Sequence, residues 1–174
     1  MTSEATRAGG TKMQIEIRRA TAAPETEGVV LVGIAVPYNE YTEIHEHGVT
    51  FRERFLPGSM EIPESAILKL GHEPGGVPLA RAGAGTIEFD PDDPRGLAFR
   101  ASLPESRRDI VEALERGDLS GAVSVGFYDV EDEKRIMKSG RVAYTRDIRR
   151  AKLDHLAILD TAPAYAGAKG EIQK

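Results

Sequence analysis

The chain contains no cysteine and no tryptophan, and aromatic residues make up only 6% of it. Without cysteine there is no disulfide framework, thiolate zinc site, iron–sulfur cluster or cysteine nucleophile. Hydrolytic chemistry would have to come from Ser, Thr, His or carboxylates. Long apolar runs are missing too. Val29 to Val36 is the longest, Gly33 breaks it, and it is far too short to span a bilayer. Met1 to Arg7 carry no signal-peptide hydrophobic region, so a cytoplasmic protein is expected. Basic residues are in the minority, 23 against 28 acidic, giving a net charge of −5. That balance argues against a dedicated nucleic-acid or anionic-membrane binder. Gly-Lys-Ser/Thr is absent, so the glycines at 75, 76, 83 and 85 read as a loop and hairpin rather than a phosphate cradle.

What is present is an ordinary globular balance, 40% hydrophobic and 29% charged over 174 residues, enough for one domain with a real core. Residues 1–12 are small and polar and are expected to be a disordered tail. A single domain is expected over 13–168 and a second tail over 169–174. Strand patterns start at Ile15 and Ile17, and recur at Gly28–Val36, Ala66–Leu70, Gly85–Phe89, Gly96–Leu103, Ala122–Val130, Val142–Ile148 and Lys152–Leu159. Tyr38 to Arg54 reads as a polar connection. One helix is clear. Pro104 opens it, Ile110, Val111, Ala113 and Leu114 form its apolar stripe, and Arg116-Gly117 closes it. The expected class is α+β, a mostly antiparallel β barrel or sheet with one or two flanking helices.

On the strand around Ser124, alternation puts Val123, Val125 and Phe127 on one face and Ala122, Ser124 and Gly126 on the other. Small neighbours leave room above Ser124, as a nucleophile requires. Taken alone, the segment is more simply a serine packed beside another strand. Histidine is scarce, at positions 45, 47, 72 and 155. Alternation aligns His72 with Leu68 and Leu70, and His155 with Leu153, Ala157 and Leu159, so both rings point as core residues do. They are either satisfied core imidazoles or parts of a catalytic relay. A serine hydroxyl attacks only if a base removes its proton in the step, neutral imidazole is the best-matched base, and a third group must hold its tautomer. His45 and His47 would share a face if extended, but their surroundings are polar and read as a solvated loop. The run Glu131–Arg135 and the cluster Arg146, Arg149, Arg150 and Lys152 read as hydrated hairpin faces.

The order of several segments resembles the prohead (capsid maturation) protease family of tailed bacteriophages. The resemblance covers about Gly28 to Ala168. It rests on Gly33-Ile34-Ala35-Val36-Pro37-Tyr38, Arg54-Phe55-Leu56-Pro57-Gly58-Ser59-Met60, Leu70-Gly71-His72-Glu73, Leu119-Ser120-Gly121-Ala122-Val123-Ser124-Val125-Gly126-Phe127 and Leu153 to Tyr165. It implies a serine endopeptidase with a herpesvirus-protease-like (assemblin-like) fold, Ser124 as nucleophile and His72 as general base. His155 stands where many phage members carry glutamate, which implies a Ser-His-His site. Asp154, by alternation, faces away. No cofactor or metal is implied. The implied substrates are the scaffolding segment of the major capsid protein and the protease itself, inside the assembling procapsid in the bacterial host cytoplasm, and self-association is compatible with that setting. The alternatives are a catalytically inactive capsid-assembly or scaffold protein of the same fold, and an unrelated small binding domain.

Overall fold

A computed structural model describes residues 15–19, 29–71 and 74–160 of the chain. The expected tails therefore lie outside the described residues, as does the connection over 20–28. In chain order the elements are β1 (Ile15–Arg19), β2 (Val29–Pro37), β3 (Thr42–Glu46), β4 (Val49–Phe55), β5 (Met60–Glu61), β6 (Ile67–Leu70), β7 (Ala80–Arg81), β8 (Ile87–Asp90), β9 (Gly96–Leu103), α1 (Arg108–Arg116), β10 (Val123–Ile136) and β11 (Tyr144–Ile158). Short 3₁₀ turns occupy Ala82–Ala84 and Glu105–Arg107.

The strands form two open sheets, not a closed barrel. The smaller, β1-β2-β9-β8, is antiparallel throughout. The larger is mixed, because β11 runs parallel to β4, β5 and β6 and antiparallel to β10. The two sheets meet where β2 ends. The Tyr38 amide donates to the Arg95 carbonyl, the Asn39 amide donates to the Phe55 carbonyl, and the Tyr38 hydroxyl donates to the Pro91 carbonyl at 3.0 Å.

The core comes from the inward faces of both sheets. Leu31, Val36, Leu97 and Phe99 from the small sheet pack with Leu68, Val123, Val125, Phe127, Leu153, Leu156 and Ile158 from the large one, and α1 adds Ile110, Val111 and Leu114. The spacing of those three residues is the helical stripe read from the sequence. Gly117 ends α1 at φ +80, its amide directed to the carbonyls of Ala113 and Leu114. That left-handed position favours glycine because it has no Cβ.

Two sequence readings need correction. Tyr38 to Arg54 is not only a connection. It holds the β3–β4 hairpin, whose inward residue Phe51 is buried and stacked on Tyr144 at 4.8 Å between ring centroids. Charged residues alternate too densely there for a strand to stand out. Secondly, Val142–Ile148 and Lys152–Leu159 are one continuous strand, β11. The polar stretch between them stays in the ladder through bulges opposite Glu131 and Asp132.

Candidate functional site

β11 is the central strand of the region that matters. On one side it pairs with β10, on the other with β6. The segments around Ser124, around His155 and leading to position 72 are thus neighbouring strands. In register, Ser124 lies opposite Ala157, and Ala157 lies opposite Lys69 on the far side.

The faces follow from register and burial together. Val123, Val125, Phe127, Leu153, Leu156 and Ile158 belong to the hydrophobic core. Ser124, Gly126, His155 and Ala157 occupy the other face. Gly126 pairs with His155, but Phe127 pairs with Leu153, so Asp154 is passed over in the ladder. This bulge corrects the simple alternation, which had Leu153 and His155 sharing a face. The extra residue keeps Leu153 on the core side while His155 turns to the side of Ser124. Ser124 and His155 are diagonal neighbours, two residues apart along the ladder, a separation that a side chain of imidazole length spans.

Gly126 makes this possible. A Cβ there would lie 2.3 Å from Cε1 and 2.6 Å from Nδ1 of His155. The room that the sequence shows beside Ser124 is therefore filled in part by the His155 ring. Both groups are enclosed, Ser124 2% and His155 3% exposed. A peptide reaches the hydroxyl only if the surrounding side chains give way.

The orientation of Asp154 is also corrected. Its Oδ2 lies 2.7 Å from Nδ1 of His155. A carboxylate only accepts, so the ring donates through Nδ1 at this contact. The Asp154 side chain remains 59% exposed. Adjacency was the only sequence signal for this contact, and alternation pointed against it because a bulge is not legible in residue types.

His72 lies outside the described residues. Gly71, just before it, donates its amide to the Ile158 carbonyl at 2.8 Å and has φ +64. That left-handed residue follows the end of β6 at Leu70. Leu68 is buried, whereas Leu70 is 43% exposed.

The remaining polar candidates resolve as follows. His47 sits at φ +50 in the β3–β4 turn, so it does not continue the strand face of His45. Nδ1 of His45 lies 2.9 Å from the Thr50 hydroxyl. Among the described residues no group of three or more His, Asp or Glu is placed to hold a metal ion. Arg149 pairs with Glu133, Arg150 with Glu61 and Glu131, and Lys152 with Asp129, all at least one-third exposed. Those are hydrated faces. Arg146 is different, 5% exposed, its Nε donating to Glu53 at 2.8 Å and its Nη1 to Asp132 at 3.2 Å. It is a buried structural cation rather than part of a wet hairpin.

No family model, curated protein or solved structure matches the chain significantly. Among the described residues no helix is long and apolar enough to cross a membrane.

Proposed function

We propose that the chain is a serine endopeptidase of phage prohead maturation with a herpesvirus-protease-like fold. The observation that carries the reading is the meeting of Ser124 and His155 on one face of adjoining strands, with glycine at 126 where the ring lies. It is supported by the pairing of β6, which leads to position 72, on the other edge of β11. Three segments far apart in sequence thus lie on neighbouring strands, with that of His155 in the middle.

In this reading His72 takes the proton from Ser124 as its oxygen bonds to the carbonyl carbon of a peptide. The carbonyl oxygen becomes the oxyanion. The proton then passes from His72 to the leaving amine as the C–N bond breaks. Water, deprotonated by the same base, hydrolyses the acyl-enzyme and regenerates Ser124. His155 holds His72 in its working orientation. The substrates are the scaffolding segment of the major capsid protein and the protease's own chain, inside the procapsid in the host cytoplasm.

The enclosure of Ser124 favours one second reading, an inactive capsid-assembly protein of the same fold. Co-expression with the capsid protein separates the two. Trimming that stops with Ser124→Ala supports the protease, and equal trimming by that variant sinks the assignment of the nucleophile. A protein that trims nothing in any form, yet changes the yield of assembled particles, is the assembly protein.

A further inference from the structure

We infer that Asp154 is a positioning residue, a carboxylate that fixes the tautomer and orientation of His155. The inference rests on the protease reading for its consequence but not for its geometry. Asp154 is the residue that the β10–β11 ladder passes over. Freed from the strand's alternation, its carboxylate reaches the ring of its own neighbour, Oδ2 to Nδ1 at 2.7 Å. Strand neighbours ordinarily face opposite ways, so the bulge is what creates the contact.

The chemistry follows from the donor inventory. Asp154 accepts a hydrogen bond from Nδ1–H, and in the neutral ring Nε2 is then the acceptor nitrogen. Free imidazole in a neutral histidine does not hold this tautomer by itself, whereas a bonded carboxylate selects it. Gly126 closes the other side, because the ring lies where a Cβ would be. The ring is thus fixed by a bond at one edge and by backbone beneath.

The consequence concerns charge. A neutral imidazole in the third position stabilises the imidazolium of a general base less well than a carboxylate does. An aspartate bonded behind that imidazole restores a negative charge to the end of the relay. It holds the Nδ1 proton and does not take it, as the aspartate of a serine-protease triad does. Because Asp154 is 59% exposed, water screens its charge and the expected effect is modest.

The test uses the full chain with ¹⁵N-labelled histidine at neutral pH. Four histidines are present, and His155→Gln identifies the His155 signals by their loss. The expected wild-type spectrum shows Nδ1 protonated and Nε2 bare. Asp154→Ala is expected to move His155 toward the Nε2-protonated form, and Asp154→Glu to restore the wild-type pattern. In parallel, a fluorophosphonate reports the reactivity of Ser124. Its labelling rate is expected to fall about fivefold in Asp154→Ala and to recover in Asp154→Glu, with the melting temperature unchanged. A His155 tautomer indifferent to Asp154→Ala overturns the inference, and so does an altered tautomer with an unaltered labelling rate. If the wild-type protein is not labelled at all, the protease reading falls. The role of Asp154 toward the ring is then decided by the tautomer alone.

Discussion

Gly126 and His155 face each other across the β10–β11 ladder, and the imidazole lies where any other residue at 126 would place its Cβ. The glycine is thus a requirement of the ring's position, not of the backbone's conformation. Gly126→Ala should displace the ring and break its contact with Asp154. Overpacking of this kind costs about 1–3 kcal/mol, so the protein should still fold. Cleavage, or labelling of Ser124, should fall about a hundredfold through misplacement of a catalytic group. A crystal structure of the variant checks the first point and a rate measurement the second. Unchanged activity with a displaced ring would remove His155 from the mechanism.

Ser124→Ala and His72→Ala should each lower cleavage of the capsid protein by roughly a thousandfold or more, and His155→Ala by less, because nucleophile and base act as a unit while the third member supports them. The ranking matters more than the values. Single-turnover assays on purified variants establish it, and a His155→Ala loss equal to that of His72→Ala would make His155 the base.

Arg146 and Glu53 form a pair shielded from water, their side chains 6% and 4% exposed. Removing one partner strands the other charge in the interior. Arg146→Ala should destabilise the protein by about 3–5 kcal/mol. The double variant Arg146→Met, Glu53→Leu should recover most of that loss, because the buried Glu53 charge goes with its partner and Asp132, its side chain 19% exposed, keeps contact with water. Denaturant unfolding of the three proteins decides the matter.

Arg54 donates two hydrogen bonds to Asp147, each 2.8 Å long, and Tyr41 donates a third. The Arg54 bond, foremost, holds the Asp147 carboxyl below its ordinary value of 3.8. A carboxylate depressed in the folded state contributes stability that is fully present above its unfolded value. That stability is lost as pH falls through the folded one. Asp147→Asn should therefore be less stable than wild type near neutrality, with the gap narrowing as pH falls below about 4. Unfolding curves at several pH values test this, and a gap that widens in acid would contradict it.

Local features were legible in the residues. The α1 stripe, its closing glycine, the turn at Pro91–Pro94 and the strands at Gly28–Val36 and Gly96–Leu103 depend on periodicity and turn chemistry within a few residues. The β3–β4 hairpin was not legible, because charge obscured its alternation. The site divides in the same way. The face of Ser124 and the smallness of its neighbours came from alternation. The face of His155 could not, since one unpaired residue at 154 reverses it. The burial of Arg146 was equally hidden, because nothing near it in the chain predicts Glu53, 93 positions away.

By itself the sequence determined the restricted set of chemistries, by omitting cysteine and supplying four histidines, and it determined which short segments alternate or turn. Tertiary structure decided which of those segments lie side by side, where the ladder skips a residue, and hence which imidazole shares a face with the hydroxyl and meets a carboxylate. The reason is range. Periodicity is set by sterics between neighbours in the chain, whereas register is set by the packing of a whole sheet against its core.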